Sequence, residues 1–381
     1  MYKIKIIKAN RGFWKDLFNE TYSNIRFLNL DVESSELISD NSKRIFWRLS
    51  QLRILDYLGI FQSIKTETGE EDGYFSYNRF LKTGKPYILG VENPTAMVHY
   101  HPQRALSFLG KRNLKKVFNG SMKTIVCLSK ACLNTLNYYY NIPSNITVKQ
   151  IYPLIKDSIT SSELDTKVES ETINCLFVSS QFFLKGGREL LEAIKTNNWN
   201  ERNDIHFDII TSLKTLNEST IKEIKEMKNV SLFDYSFSKK ELNDFYKKSN
   251  IFINLTRKDS FSLVTLEALK YGCAFIATDL YAIKEMVHEG YNGYLTKPVV
   301  KYWNDDNTMN TSLSKKENQS LEYDYCDKEI LEFLSDKMNK FIEDRELLKT
   351  MQINSYNLSN STFNYEECKK EWESTIQNMF E

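Results

Sequence analysis

Several features that mark other protein classes are absent from this 381-residue chain. No apolar run approaches the ~20 residues needed to span a bilayer, and the first residues lack the long apolar core of a signal peptide. Only 13 glycines and 6 prolines are present, which excludes a collagenous or low-complexity chain. The remaining composition, 41% hydrophobic and 27% charged, predicts a soluble globular protein of the cytosol.

Two further sequence motifs, one of cysteine and one of glycine, are absent. The six cysteines contain no Cys-x-x-Cys pair, so neither a zinc site nor a disulfide framework is expected. No Gly-x-Gly-x-x-Gly sequence follows the first predicted strand, which argues against a nicotinamide or flavin enzyme.

Charge is nearly balanced in total but not along the chain. Residues 1–160 hold 23 Lys/Arg and 13 Asp/Glu, residues 161–381 hold 28 and 37, and residues 93–156 contain no acid at all. This asymmetry predicts that the first half faces an anionic acceptor, a membrane surface or nucleic acid, unless it is only an uneven scatter of solvated charge. Residues 104–118 mix large apolar side chains with five cations. They either lie on anionic lipid or form an ordinary amphipathic helix with solvated lysines.

Short apolar runs alternate with helical patterns, most clearly in the second half. Buried strands are predicted at 175–180, 205–211, 230–235, 251–255 and 274–278, with helices between them. The first half gives a weaker version, with strands at 3–8, 25–30, 86–92 and 124–128 and an amphipathic helix at 43–57. Such alternation predicts parallel sheets covered by helices, and the length predicts two such α/β domains.

A lysine and two glycines follow the strand predicted at 175–180. The segment 178–188 is Val-Ser-Ser-Gln-Phe-Phe-Leu-Lys-Gly-Gly-Arg. Glycine lets a ligand approach the backbone closely, a helix N-terminus favours phosphate, and Lys185 adds a mobile positive charge. Phosphate contact is therefore a candidate role, although Lys-Gly turns also occur in α/β proteins by chance.

Two acids follow the strand predicted at 251–255. Asp259 falls in the loop after this strand, and Glu267 falls about one turn inside the next helix. The free amides at the helix start could hold a diphosphate, and the inner carboxylate could hold a ribose diol. The simpler alternative is a helix with an acidic N-terminus.

Residues 251–296 resemble the donor-binding segment of retaining glycosyltransferases of the "glycosyl transferases group 1" type. That family has two acids separated by seven residues, as Asp259 and Glu267 are, and an earlier phosphate motif ending in Lys-Gly, as at Lys185-Gly186. The similarity covers about residues 172–300, and a fainter match to the end of the family's first domain lies at 129–136 and 151–153.

The resemblance implies an α/β protein of the GT-B fold, with two facing Rossmann-like domains, parallel sheets and an interdomain cleft. We expect an N-terminal acceptor-side domain at 1–160, joined by the C-terminal helix at about 364–381, and a nucleotide-sugar donor domain at 171–360. Residues 156–170 are the best candidate linker, and residues 301–325 look like an inserted loop.

The family's roles can be carried over to matching positions. The resemblance implies that Lys185 binds the donor diphosphate, that Glu267 holds the nucleotide ribose, and that Asp259 faces the transferred sugar near its anomeric carbon. Asp259 and Lys185 are the expected catalytic residues; the other expected donor-binding residues are Ser180, Gly186, Ser260, Phe261, Ser262 and Leu263. No metal and no resident cofactor are implied, because Lys185 and the helix amides neutralise the phosphates.

Three positions depart from the family pattern. The family usually has Glu where Asp259 stands, commonly Arg where Ser180 stands, and often His where Glu92 stands. These differences affect the identity of the sugar more than the fold, and they leave room for loss of activity.

Candidates on the acceptor or sugar side lie in the first half: Gly12, Glu92, Asn93, His99 and His101. His99 and His101 could in principle bind a metal or act as a base. No acidic ligand lies near them in sequence, so a structural or acceptor-side role is favoured.

The expected function is transfer of a sugar, with retention of configuration, from a nucleotide-diphosphate sugar to a hydroxyl of a polysaccharide or lipid-linked glycan. The alternative is a catalytically silent GT-B protein that acts as a binding or partner subunit. A nucleic-acid-binding role would require salt-sensitive affinity, and we expect no nucleic-acid partner. The expected location is the cytoplasm, with peripheral attachment to an anionic membrane through the basic first domain as a further expectation.

Overall fold

The chain folds into two compact units. The structure, a computed structural model, describes residues 1–7, 12, 14–30, 52–67, 69–313 and 325–381. Unit 1 comprises Met1–Lys156, Asp306–Met309 and Tyr365–Glu381, and unit 2 comprises Asp157–Asp305 and Asn310–Asn364.

Unit 1 contains a parallel sheet of six strands in the order β2-β1-β4-β6-β7-β8, and a small parallel pair, β3-β5. The strands are β1 (Tyr2–Ile7), β2 (Ile25–Leu28), β3 (Ser63–Lys65), β4 (Gly73–Tyr77), β5 (Phe80–Lys82), β6 (Tyr87–Val91), β7 (Met122–Cys127) and β8 (Thr147–Gln150). The helices described in this unit are α1 (Trp14–Phe18), α2 (Ile54–Leu58), α3 (Gln103–Leu106), α4 (Phe108–Phe118), α5 (Lys130–Tyr139) and the C-terminal α14 (Tyr365–Gln377), with a 3-10 turn at Pro94–Val98.

Unit 2 contains a second parallel sheet of six strands, in the order β11-β10-β9-β12-β13-β14. Its strands are β9 (Ile173–Ser179), β10 (Ile205–Thr211), β11 (Val230–Asp234), β12 (Ile251–Asn254), β13 (Ala274–Thr278) and β14 (Gly293–Thr296). The helices described in this unit are α6 (Ser161–Val168), α7 (Gly187–Thr196), α8 (Glu218–Lys225), α9 (Lys239–Lys248), α10 (Leu263–Lys270), α11 (Ile283–Met286), α12 (Lys328–Glu343) and α13 (Arg345–Ser361), with 3-10 turns at Phe183–Lys185, Trp199–Glu201 and Leu213–Thr215.

The central strands are apolar on both faces. All residues of β4, β6, β12 and β13 are buried, as expected for parallel strands covered by helices on both sides. The core of unit 2 joins strand residues such as Phe177 and Ile253 to helix residues such as Leu191, Leu334 and Met351. Two α/β domains with parallel sheets, predicted from the alternating pattern, are therefore confirmed.

The strand order of unit 2 reverses at one point. The chain runs from β9 outward to β10 and β11, then crosses to β12 on the other side of β9 and continues to β13 and β14. In open α/β sheets, ligands bind at the carboxyl ends of the strands where the order reverses. The segments after β9 and β12 therefore occupy the favoured position for a ligand site.

Some predicted elements differ from the structure. The polar segment 156–170, predicted as a linker, contains α6, whose N-terminus is closed by a capping box between Thr160 and Glu163. Of the helix predicted at 43–57, residues 43–51 lie outside the described residues, and a helix covers Ile54–Leu58. Within the loop predicted at 301–325, residues 301–313 form turns and isolated bridges, and residues 314–324 lie outside the described part.

Candidate functional site

The turn that carries Lys185 is held against the end of β12 by a glycine. Gly186 has φ +84°, and a Cβ at this position would lie 2.4 Å from the Leu255 Cβ. A side chain is excluded there both by the left-handed backbone and by the contact. Gly186 thereby brings the Lys185 turn, which follows β9, next to the loop that follows β12.

A buried ion pair ties the same two segments together. The Arg257 guanidinium contacts the Glu189 carboxylate, and both side chains are 0% exposed. The Arg257 main-chain N–H donates to the Leu184 carbonyl at 3.2 Å, and its guanidinium donates to the Phe183 carbonyl at 3.4 Å. Removing one partner of such a pair leaves an uncompensated buried charge, so Arg257 and Glu189 fix the loop before Asp259 to the turn before Lys185.

The Asp259 carboxylate is the centre of the site. Its Oδ2 contacts the Lys185 ammonium, and its Oδ1 accepts hydrogen bonds from the amides of Ser260 at 2.9 Å and Ser262 at 3.1 Å. The Lys185 and Asp259 side chains are each 17% exposed. One ammonium and two backbone amides therefore converge on one anionic group at the carboxyl ends of β9 and β12. We call the ammonium and the two amides the anion cradle.

The helix start after the cradle has an unusual backbone. Ser262 is the N-cap of α10 with φ +65°, a conformation that costs a non-glycine residue about 1–2 kcal/mol. The Asn254 amide donates to the Ser262 and Thr265 hydroxyls, at 2.9 Å each, and so supports this turn. Leu263 is the first residue of α10, where helix geometry gives an amide no intrahelical partner.

Glu267 lies one turn inside α10 and is 9% exposed. Its Oε2 accepts a hydrogen bond of 3.0 Å from the Tyr246 hydroxyl. Burial, together with the charge of Glu267, raises the pKa of Tyr246 well above its ordinary value. The Tyr246 hydroxyl therefore stays protonated and holds one oxygen of the Glu267 carboxylate in place.

Trp303 packs against the loop that carries Asp259. Its Nε1 donates to the Asp259 carbonyl at 2.6 Å, and its ring stacks on Tyr281 with centroids 4.1 Å apart. Trp303 is 5% exposed although it lies in a segment rich in Asn, Asp and Lys. Trp303, Tyr246 and Arg257 are site residues that the sequence did not predict. Of the three, only Trp303 had a local signal, as a single tryptophan within a polar stretch.

This part of the chain is also the part that a family model covers. Residues 172–302 match the family "Glycosyl transferases group 1". The resemblance predicted for the donor-binding segment is thereby confirmed. An "uncharacterized 41.2 kDa protein in cps region" of Klebsiella pneumoniae is 30% identical over 132 residues, which is 34% of each chain. The match thus spans about a third of the length of that curated relative.

Solved structures are similar over nearly the whole chain. Sucrose-phosphate synthase from Thermosynechococcus elongatus has a TM-score of 0.62 at 11% identity, covering 100% of this chain and 99% of that one. WaaG, a glycosyltransferase involved in lipopolysaccharide biosynthesis, has a TM-score of 0.59 at 11% identity, with 99% of both chains covered. HepE of Anabaena, in complex with UDP and glucose, has a TM-score of 0.57 at 12% identity, covering 99% of this chain and 100% of that one. The fold is GT-B, with two Rossmann-like domains, as predicted.

Within the group 1 match, the remaining predicted donor residues lie in the segments that follow β9 and β12. Ser180 is exposed directly after β9, and Phe261 is buried between the two serines whose amides bind Asp259. Ser260 and Phe261 precede α10 rather than belonging to it. Lys185, Gly186, Asp259 and Ser260–Leu263 thus share one location, and Glu267 lies one turn farther along α10; their roles toward a donor stay predictions.

The acceptor-side candidates of unit 1 make mainly structural contacts. Asn93 caps the 3-10 turn after β6 by accepting from the Thr95 amide at 3.0 Å. His99 accepts from the Gln62 amide at 3.4 Å, and His101 lies 3.2 Å from the Asp56 carboxylate. Their roles toward an acceptor stay predictions.

Glu92 and Gly12 follow strands of the unit 1 sheet. Glu92 is half-buried after β6, and its carboxylate accepts a hydrogen bond from the Tyr77 hydroxyl. Gly12 is exposed, and no described residue would lie within 4 Å of a Cβ there. The roles of these two residues on the acceptor or sugar side stay predictions.

Among the described residues, no group of three or more His, Cys, Asp or Glu could hold a metal ion. No helix in that part of the chain is both long and apolar enough to cross a bilayer.

Proposed function

We propose that this protein is a retaining glycosyltransferase that moves a sugar from a nucleotide-diphosphate sugar to a hydroxyl of a polysaccharide or lipid-linked glycan. The observation that carries the proposal is the anion cradle, where the Lys185 ammonium and the amides of Ser260 and Ser262 converge on one carboxylate. This cradle lies where the strand order of unit 2 reverses, the position at which α/β sheets bind ligands.

In the proposed donor complex, the diphosphate takes the place of the Asp259 carboxylate in the cradle. A diphosphate carries more negative charge than one carboxylate and can accept from Lys185, from the loop amides and from the free amides at the start of α10. Asp259 then turns toward the transferred sugar. Because Asp is one methylene shorter than Glu, its reach is about an ångström less than that of the family's usual residue.

Glu267 is proposed to hold the ribose of the nucleotide. Its carboxylate lies one turn inside α10, and the Tyr246 hydroxyl holds one of its two oxygens. The carboxylate oriented in this way can accept from a ribose hydroxyl. Transfer breaks the bond between the anomeric carbon and the diphosphate oxygen, forms a bond from that carbon to the acceptor oxygen, and passes the acceptor's hydroxyl proton to the departing diphosphate. The contribution of Lys185 is to stabilise the charge that develops on the departing diphosphate.

We also propose that the transfer reaction needs no metal ion. A lysine and backbone amides supply the positive charge that the leaving group requires, and positioning of the acceptor supplies much of the remaining rate. The proposal requires neither a side-chain nucleophile nor a divalent ion.

The neighbours suggest which donors to test first. Structures of HepE contain UDP with glucose, or UDP-glucose, and the pneumococcal O-GlcNAc transferase GtfA was solved with UDP and GlcNAc. Uridine-diphosphate sugars, with guanosine- and adenosine-diphosphate sugars as comparators, therefore form the panel. A bound donor at 100 times its Kd should stabilise the protein by about 2.7 kcal/mol.

The experiment combines thermal shift with a transfer and hydrolysis assay on the purified chain. We expect one nucleotide sugar to raise the melting temperature, and the variant Lys185→Ala to lose most of that shift. Lys195→Ala is the matched control, because it removes a lysine that pairs with Glu192 and Glu223 on the helix surface. No stabilisation by any donor, or equal shifts in Lys185→Ala and the wild type, would contradict the donor assignment.

The same experiment distinguishes the proposed enzyme from the alternative, a catalytically silent binding subunit. Three positions favour that alternative: the shorter Asp259, Ser180 in place of an arginine, and Glu92 in place of a histidine. Binding of a donor without hydrolysis or transfer to any acceptor would support the silent subunit. Release of the nucleotide diphosphate by the chain alone would exclude it.

A further inference from the structure

Trp303 is connected to the anion cradle through a single peptide unit. Its Nε1 donates to the Asp259 carbonyl at 2.6 Å. The N–H of the same peptide unit belongs to Ser260, and it donates to Asp259 Oδ1 at 2.9 Å. A planar trans peptide points its C=O and its N–H in opposite directions. A donor that fixes the Asp259 carbonyl on one side therefore fixes the direction of the Ser260 N–H on the other side.

The hydrogen bond from Trp303 also strengthens the Ser260 amide as a donor. When the carbonyl of a peptide accepts a hydrogen bond, the peptide is polarised and its own N–H donates more strongly. The Ser260 amide is one of the three groups of the anion cradle. Trp303 therefore influences the cradle through the Asp259 carbonyl, and its hydrogen bond does not use the carboxylate that the cradle holds.

The indole ring of Trp303 is held in one orientation. It stacks on the Tyr281 ring, with centroids 4.1 Å apart and 24° between the ring planes. Trp303 is 5% exposed and Tyr281 is 2% exposed. Tyr281 has φ +50°, a left-handed conformation that persists in a residue other than glycine only where the surrounding structure imposes it. The ring therefore has little freedom to turn its N–H away from the Asp259 carbonyl.

The backbone next to Trp303 is bound to the loop that follows β12. The Tyr302 N–H donates to the Arg257 carbonyl at 3.0 Å. Asn310 supports this segment twice: its main-chain N–H donates to the Tyr302 carbonyl at 2.9 Å, and its side-chain amide donates to the Lys301 carbonyl at 2.9 Å. These bonds fix the position of the indole relative to the cradle loop.

We propose that Trp303 is a positioning residue for the donor diphosphate. By holding the Asp259 carbonyl, it keeps the Ser260 N–H directed at the phosphate that enters the anion cradle. The inference rests on the proposed function, because the diphosphate is the ligand proposed for the cradle there. Trp303 lies just beyond residues 172–302, which match the family model, so the family match assigns it no role.

Two changes at position 303 separate the hydrogen bond from the packing of the ring. Trp303→Phe keeps an aromatic ring against Tyr281 and removes the N–H. Benzothienylalanine, an analogue of tryptophan introduced at position 303 by nonsense suppression, carries sulfur in place of the indole N–H at nearly the same volume. It therefore leaves no space in which water could replace the missing donor, and it avoids the cavity that could unfold Trp303→Phe.

Trp199→Phe is the matched control. Trp199 is 1% exposed in the same unit, and its Nε1 donates to Asn339 Oδ1 on α12 at 3.1 Å. This variant thus loses a buried indole N–H and leaves the cradle loop unchanged. It should lower the melting temperature without altering the affinity for a nucleotide.

Isothermal titration with UDP, or with the nucleoside diphosphate of the donor found in the panel, measures the effect on the cradle. We expect both changes at position 303 to weaken diphosphate binding about tenfold, because a hydrogen bond to a charged phosphate loses its alignment. The affinity for the corresponding nucleoside, followed by ligand-observed NMR, should not change, since Glu267 and not the cradle is proposed to hold the ribose.

Hydrogen–deuterium exchange of the ligand-free chain measures the alignment of the peptide without any donor. Residues 256–262 should exchange faster in both position-303 variants than in the wild type, and at the wild-type rate in Trp199→Phe. Weaker diphosphate binding without faster exchange would show that the effect does not pass through the peptide between Asp259 and Ser260, and would refute the proposal.

The remaining outcomes distinguish this inference from the proposed function. Unchanged diphosphate affinity in the benzothienylalanine variant, or an equal loss of diphosphate and nucleoside affinity, would overturn the role of Trp303 and leave the donor site intact. Failure of the wild type to bind any nucleoside diphosphate would contradict the proposed function, and this inference with it.

Discussion

At the scale of single residues, Lys185 is the most informative position. Its ammonium contacts the Asp259 carboxylate in this structure, and the proposed function requires the same ammonium to bind the donor diphosphate. Lys185→Ala should weaken donor binding by one to two orders of magnitude, since a hydrogen bond between charged groups contributes about 1.5–3 kcal/mol. Isothermal titration with the donor found in the panel measures the change. Unaltered affinity together with unaltered turnover would remove Lys185 from the site.

Tyr246 offers a second test at the same scale, because it is proposed to act only through Glu267. Tyr246→Phe removes the hydroxyl that donates to Glu267 Oε2 at 3.0 Å. The carboxylate then loses its orientation, so the donor KM should rise about tenfold or more while kcat changes little. Steady-state kinetics at saturating acceptor separates the two constants.

Combining the change with Glu267→Gln provides the control for Tyr246. If Tyr246 works through Glu267, the double variant should have nearly the same donor KM as Glu267→Gln alone, because contacting residues are not additive. Full additivity of the two effects, or a loss confined to acceptor affinity, would show that Tyr246 acts by another route.

The site could be predicted from the sequence only where residues lie close in the chain or follow strands. The spacing of Asp259 and Glu267, and the position of Lys185 after a strand, each had a local signal, and the structure brings Lys185 and Asp259 together. Tyr246 and Arg257 had none, because their partners Glu267 and Glu189 lie 21 and 68 residues away. Contacts of that kind depend on strand order, which local patterns do not determine.

At the scale of elements, Gly186 sets how closely the β9 turn approaches the end of β12. Gly186→Ala places a Cβ 2.4 Å from Leu255 Cβ in a backbone with φ +84°. Something must shift, so we expect a loss of stability larger than the 1–2 kcal/mol of left-handed strain alone, together with weaker donor binding. Urea unfolding and donor titration measure the two effects.

Gly290→Ala is the matched control, since Gly290 has φ +72° but no residue that the structure describes would lie within 4 Å of a Cβ there. Gly290→Ala should lose only the stability that left-handed backbone strain costs, because no steric contact is added. It should leave donor binding intact. Similar stability losses in the two variants would mean that Leu255 yields, and that the close approach of the two segments does not depend on Gly186.

Strands with long apolar runs could be predicted from the sequence. A helix with a mostly polar sequence could not. Strand β10 was predicted at its observed bounds, Ile205–Thr211, because six of its seven residues are buried in the sheet. Helix α6 has the polar sequence of a linker, since only Leu164 and Lys167 are buried on it. Its capping box, Thr160 with Glu163, was a readable helix-start signal in the same segment.

At the scale of the whole molecule, the chain returns to unit 1 through its last helix, α14. Trp372 on this helix is fully buried, donates to the Tyr152 carbonyl at 3.0 Å and meets the Trp14 ring edge-on, with centroids 5.7 Å apart. Lys369 on the same helix contacts the Glu20 carboxylate, which also lies 3.0 Å from Lys156. Residues from both ends of the sequence therefore stabilise unit 1 together.

The Glu20 contacts predict how the stability of unit 1 depends on pH. Burial alone would raise the pKa of Glu20, but hydrogen bonds from Lys369, Tyr365 and Lys156 outweigh it and hold the pKa at about 2. Since the ordinary value is 4.5, the folded state favours the ionised carboxylate. The stabilisation is therefore fully present above pH 4.5 and is lost as the pH falls toward 2.

Glu20→Gln should lower the free energy of unfolding of unit 1 by about 2–3 kcal/mol at pH 7, and the difference from wild type should shrink steadily as the pH falls below about 4.5. Urea unfolding monitored at pH 7, 5, 4 and 3 measures it. Glu366→Gln, which removes an exposed carboxylate from α14, should change stability by no more than about 0.5 kcal/mol at each pH. A stability difference for Glu20→Gln that stays constant from pH 7 to pH 3 would mean that packing of the side chain, and not its charge, anchors the C-terminal helix.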